Sequence, residues 1–170
     1  MSGEVTGSSD QDANFDERWP YMSGRMEDRD GKRIHVRPIR VYFEDTDAGG
    51  VAYHASYVRW CERGRTDFLR LIGTDARGMI TGEAGHEPAA FVVRKMTLDF
   101  LMPTRMDDLL EVETHVTELG GASATLRQSI FRDGRKVFEA DVVVVLVSIA
   151  GKPMRLTDAI RAGFEGVPQG

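Results

Sequence analysis

Eleven positions hold most of the chemistry this chain could perform. In "EDTDAGGVAYH", residues 44–54, stand Glu44, Asp45, Asp47 and His54, with Gly49 and Gly50 among them. Carboxylates ahead of a helix favour its partial positive end by about 0.3–1 kcal/mol each, and glycines turn the chain. Capping of that kind accounts for one of the three carboxylates, or two. The same four side chains are a conceivable ligand set for a divalent ion. However, residues 44 and 45 point to opposite faces of an extended segment, and no compact H-x-x-x-H spacing accompanies them. Serine-hydrolase chemistry lacks its G-x-S-x-G elbow. Cys61 falls on an apolar helix stripe, where a thiol is structural rather than nucleophilic.

Acyl transfer uses every part of the stretch. Unpaired amides at a helix start can hold an oxyanion, and a neighbouring carboxylate can act as base or nucleophile on an acyl carbonyl. Asp47 is the candidate for the carboxylate, and the amides near His54 for the hole. The two glycines let a carbonyl approach the backbone, so Gly50, Val51 and Tyr53 are the candidate substrate contacts.

The elements that must position these residues follow from periodicity. "IHVRPIRVYF", residues 34–43, reads as a strand in which Pro38, lacking an N–H, marks an edge or a bend. Tyr57, Trp60, Cys61, Gly64, Phe68, Leu71 and Ile72 then draw one helical stripe, with Arg59, Glu62, Arg63, Asp67 and Arg70 on the other side. Gly64 within the stripe implies close approach of the helix backbone to a sheet. A polar loop containing Gly78, Gly82 and Gly85 leads to "AAFVVRKMTLDFLM", which Pro103 ends, and "LLEVETHVTEL" follows as a half-buried strand. Gly120-Gly121 turns into "ASATLRQSIF", and Asp133-Gly134 is a hairpin signal before "KVFEADVVVVLVSI". Thr157 caps a short closing helix. One long helix against a predominantly antiparallel sheet of five strands is an α+β layer. The run "VVVVLV", apolar on both faces, implies that a second copy of the chain covers the far side.

Residues 1–33 differ in composition and read as a disordered tail, with residues 34–170 as one domain. Phe15, Trp19, Tyr21 and Met22 offer an alternative reading of that tail as a docking element. The net charge of −5 supplies no general attraction to phosphate backbones, so nucleic acid is not an expected partner. A single cysteine forms no intrachain disulfide, and no secretory signal or membrane-length apolar run is present. A cytoplasmic location is expected.

"VYFEDTDAGGVAYHASYVRWCERGRTDFLR" closely resembles the signature of hotdog-fold acyl-CoA thioesterases of the 4-hydroxybenzoyl-CoA thioesterase superfamily. It is most similar to the YbgC branch, associated with the Tol–Pal cell-envelope system, as is "AFVVRKMTLDFLMPTRMDDLLEVET" further on. The resemblance spans about residues 36–165, and its specific part is D-x-D-x-x-G-x-x-x-H at 45–54. It implies a sheet wrapped around the long helix, dimers paired edge to edge, and tetramers built from them. It also implies an acyl-CoA substrate, or an acyl carrier protein thioester, hydrolysed without cofactor or metal. Asp47 matches the catalytic aspartate and His54 the active-site histidine, whose backbone amide would be an oxyanion donor. One departure is Phe43, where relatives can carry Tyr four residues before the catalytic aspartate.

Arg59, Arg63 and Arg70 form a basic helix edge that CoA phosphates or solvent would meet. Of Arg94 and Lys95 only one can face a given groove, and Arg94 is the candidate for CoA. His35, His86 and His115 read as structural, and Asp45 as a turn residue. The alternative function is a non-catalytic acyl-binding or scaffold protein of the Tol–Pal system.

Overall fold

The computed structural model describes residues 22–74, 76–82 and 87–166. Its elements are β1 (Arg25–Arg29), β2 (Lys32–Arg40), a 3₁₀ turn (Phe43–Asp45), α1 (His54–Leu71), α2 (Ala76–Thr81), β3 (Ala89–Phe100), β4 (Leu109–Leu119), β5 (Ser123–Arg132), β6 (Arg135–Ser148) and α3 (Asp158–Glu165). The strands form one antiparallel sheet in the order β1-β2-β4-β5-β6-β3. The expected α+β architecture, a long helix against a sheet, is the one observed.

The sheet has six strands where five were expected, and the sixth lies within the segment read as a tail. "RDGKR" turns at Asp30 and Gly31, with φ of 50° and 73°, and pairs Arg25–Arg29 against Lys32–Val36. Two central residues at positive φ are what a tight hairpin turn needs, and Asp-Gly supplies them. The folded domain therefore begins by residue 25 rather than 34, and residues 1–21 lie outside the described ones. His35, fully buried, ties this arm down through Nε2, 2.6 Å from the Ser23 carbonyl oxygen. β2 ends at Arg40 instead of running to Phe43. Pro38 sits beyond the reach of β1, whose pairing stops at Val36, so its missing N–H faces a free side of the strand.

α1 lays its stripe on the concave face. Tyr57, Trp60, Cys61, Gly64 and Phe68 are buried, against Val112, Leu126, Phe138 and Val142 among others. A Cβ on Gly64 would lie 3.1 Å from Val112 Cγ1, 3.2 Å from Thr114 Oγ1 and 3.3 Å from Gln128 Nε2. The glycine is thus the close-approach point expected for it. Asp67 departs from its expected place on the polar side. It is buried, paired with Arg37 of β2 and, through Oδ1 at 2.6 Å, with Arg70. Two cations make the burial of that carboxylate tolerable.

The loop after α1 is partly helical, as α2, and Gly85 is outside the described residues. Thr157 caps α3 as expected, its hydroxyl accepting from the Ile160 amide at 3.2 Å.

The far face of the sheet is less apolar than "VVVVLV" suggested. Val143, Val145 and Val147 are only half-buried there. They share the face with Asp141, bonded to Arg127 at 2.9 Å, and with the Arg25–Glu111 and Arg29–Glu113 pairs. Charged cross-strand pairs solvate part of that surface beside the three valines.

Two consequences are measurable. Gly64→Leu should destabilise the protein by about 1–3 kcal/mol in denaturant titration despite leucine's better helix propensity, because the helix would be levered off β4 and β5. Cys61 is fully buried, and burial pushes its thiol up to about 12. It should therefore ignore a disulfide reagent at pH 8 in the native protein and react stoichiometrically only once denaturant unfolds the chain.

Candidate active site

The acidic stretch folds into a closed loop that delivers its residues to the start of α1. Asp45 is the anchor. Its carboxylate turns back to accept from the Tyr42 amide at 2.9 Å, and its carbonyl accepts from the Tyr53 amide at 2.7 Å and the Ser56 hydroxyl at 3.0 Å. Between these fixed points Thr46 bridges Ala52, and the Asp47 amide donates to the Val51 carbonyl at 2.9 Å. Gly50 closes the loop at φ 75°, donating to the Asp47 carbonyl at 3.0 Å. A side chain at that φ would be strained.

Asp47 stands exposed on this loop. Its Oδ1 accepts from the Gly49 amide at 2.8 Å and the Val51 amide at 3.4 Å. Those bonds orient the carboxylate, while Oδ2 has no partner among the described residues. His54 is the first residue of α1, so its amide has no carbonyl within the helix to bond. Tyr53, at the capping position, gives no side-chain bond to the first turn. The amide end of α1 is therefore unsealed. The His54 ring is exposed and lies tilted against Tyr53, centroids 4.2 Å apart and planes at 48°.

A cleft of about 240 Å³ opens beside this end, lined by Val51, Ala52, His54, Tyr57 and the Phe100–Pro103 segment. Its walls are apolar apart from His54 and the Tyr57 hydroxyl. That hydroxyl is braced by Thr104: the two oxygens are 2.9 Å apart, the Thr104 amide donates to Tyr57 at 3.2 Å, and the Thr104 carbonyl accepts from Ala52 at 2.8 Å. The brace holds the far wall of the cleft to the acidic loop.

Of the residues expected at the site, Asp47, Gly50, Val51, Tyr53 and His54 come together on the loop and helix start. Arg94 does not join them within one chain. It is exposed on β3 at a register shift between Val93 and Lys95, six residues from Phe100, or about 20 Å of strand. The shift also breaks the simple alternation assumed for Arg94 and Lys95. Nor do Glu44, Asp45, Asp47 and His54 converge as metal ligands. Asp45 is folded into the turn, and among the described residues no three His, Cys, Asp or Glu side chains form a metal-binding group. Sequence reasoning missed Tyr57, Thr104 and Phe100–Pro103. Tyr57 had been assigned to the core stripe alone, and only Pro103, as a strand stop, hinted that the chain turns back there.

Residues 49–139 match the family model described as the Thioesterase superfamily. The acyl-CoA thioester hydrolase YbgC of Escherichia coli is 44% identical over 130 residues, covering 75% of this chain and 93% of that protein. The acyl-CoA thioesterase YbgC of Haemophilus influenzae is 38% identical over 128 residues, 75% of this chain and 91% of that one. The crystal structure of a probable thioesterase from Bartonella henselae superimposes with a TM-score of 0.70 at 38% identity, covering 73% of this chain and 99% of that one. By family match, sequence identity and fold alike, the chain belongs to the thioesterase superfamily as a hotdog-fold acyl-CoA thioester hydrolase of the YbgC type.

Proposed function

We propose that Asp47 is the general base of thioester hydrolysis and that the amide end of α1, at His54, holds the carbonyl oxygen of the substrate. The observation that carries this is the pairing of a carboxylate whose Oδ2 is free with first-turn amides that no side chain caps. The acyl carbonyl lies with its oxygen on the His54 amide and its chain in the apolar cleft. Water attacks the carbonyl carbon as Oδ2 of Asp47 takes its proton. The resulting oxyanion rests on helix amides that are already oriented, which costs no reorganisation. The C–S bond then breaks, and the thiol of CoA leaves, taking a proton in turn. Gly50, Val51 and Tyr53 flank the reacting carbonyl, and the His54 ring covers the mouth of the cleft.

Assembly follows from the free edge of β3. That strand pairs only with β6, and Val92 and Val93 are 43% and 46% exposed on it. A second copy added across this edge gives a homodimer, and a homotetramer can be built from two of them. It is also the route by which Arg94 reaches the CoA of a neighbouring site. A cytoplasmic setting accords with the chain's one cysteine being buried and unpaired.

Asp47→Asn keeps the loop's shape and removes the base. In a free-thiol assay over a panel of acyl-CoA and acyl carrier protein thioesters, it should lower kcat at least about 100-fold. Near-normal turnover by a folded Asp47→Asn protein would sink the assignment. Light scattering at micromolar concentration should find a dimer or tetramer, and a stable, fully active monomer would remove β3 from the account.

A further inference from the structure

A second cavity, of about 170 Å³, lies between the later turns of α1 and the inner face of the sheet. Phe68, Phe91, Leu126, Val144 and Phe164 make its walls apolar. One cation stands among them. Arg65 is only 9% exposed, and its hydrogen-bond partner is a neutral one: Nη1 donates to Gln128 Oε1 at 2.7 Å. Gln128 is not free to turn, since its Nε2 donates to the Cys61 carbonyl and to Thr114 Oγ1, both at 2.8 Å. Its oxygen is thereby committed to Arg65.

Among the described residues no carboxylate completes the arrangement. Glu62, at the rim, accepts from the Thr66 hydroxyl at 2.7 Å and forms no ion pair with Arg65. By contrast, Arg37 meets Asp67, and Arg132 meets Asp108 at 2.7 Å. Burial pulls the Arg65 pKa below the ordinary arginine value, with Cys61 and Glu62 opposing it. A buried charge is normally paired, because its desolvation is otherwise uncompensated. Guanidinium is also the side chain best shaped to take a carboxylate through two N–H groups. A dry cavity of about 150 Å³ accommodates benzene, so the space beside Arg65 suits one ring or a short chain.

We propose that this cavity binds a compact apolar carboxylate, its charged end on Arg65 and its body among Phe68, Phe91 and Phe164. The cavity is distinct from the catalytic cleft of the same chain: Arg65 lies eleven residues along α1 from His54, about 16 Å at the helical rise. Two sources supply such a group. One is a free acid. The other is an acyl thioester that carries a second carboxylate at its far end. Antiparallel pairing of two β3 edges would bring the Phe91 end of one strand beside the Phe100 end of the other, within reach of a neighbouring cleft. This second source rests on the thioesterase reading above; the first does not.

The test has two arms. In calorimetry, benzoate should bind at least tenfold more tightly than benzyl alcohol, and Arg65→Met should abolish the preference. In the hydrolysis arm, Arg65→Met should lower the ratio of kcat/KM for glutaryl-CoA over pentanoyl-CoA at least tenfold. A loss in the first arm alone assigns the site to a free acid, and a loss in both arms assigns it to the substrate's own carboxylate. Leu69→Trp, at a half-buried position of α1 on the cavity wall and away from the β3 edge, should block both arms by filling the space, and it decides the matter should Arg65→Met fail to fold. Asp47→Asn should bind benzoate like the wild type, so failure of the base assignment leaves this result standing. Unchanged benzoate affinity together with an unchanged glutaryl-to-pentanoyl ratio in both cavity variants overturns the site.

Discussion

Everything in this molecule depends on how closely α1 can approach the sheet. At Gly64 a Cβ would press on Val112, Thr114 and Gln128 at 3.1–3.3 Å, closer than ordinary contact, and from that contact the helix is set in both tilt and depth. Its first turn then emerges beside the loop from Phe100 to Thr104, and its middle lies over β4 and β5. Hydrophobic burial along Tyr57, Trp60 and Phe68 supplies the attraction. The missing Cβ determines where that attraction comes to rest.

The geometry of the candidate site is a by-product of the same placement. A helix start is ordinarily closed by a side chain of the preceding residue. Here the Asp45 carbonyl takes the Tyr53 amide and the Ser56 hydroxyl instead, so the chain enters the helix firmly while its leading amides stay open. Asp45 and Asp47, two residues apart, have opposite duties. One is buried to hold the turn, and the other is presented to solvent by the turn it holds.

Much of this was legible in the residues, because the signals were local. The 3.6-residue stripe marked α1, Asp133-Gly134 marked the last hairpin, and Asp47 and His54 stood out by type and spacing. The β1 hairpin was missed although Asp30-Gly31 carries the same turn chemistry, since charge and glycine content around it outweighed a two-residue signal. What stayed illegible was non-local. Nothing near Asp67 announces Arg37, thirty positions earlier, and nothing near Tyr57 announces Thr104. Nothing near Arg65 announces Gln128, which the register of β5 sets beneath it. Contacts of that kind arise only when strands distant in sequence are laid side by side.

The short first strand has a consequence for growth of the sheet. A sheet with two open ends can add copies without limit, which is how fibres form. At one end of this sheet stands β1, five residues long and carrying Arg25, Glu27 and Arg29. Past its end the exposed side of β2 is interrupted by Pro38. That end is a poor template. Among the described residues the long edge of β3 is the better one, and a strand that pairs with its own copy uses up both edges at once. Any association through it would stop at two chains, so the hairpin at one end of the sheet would keep association at the other end from propagating.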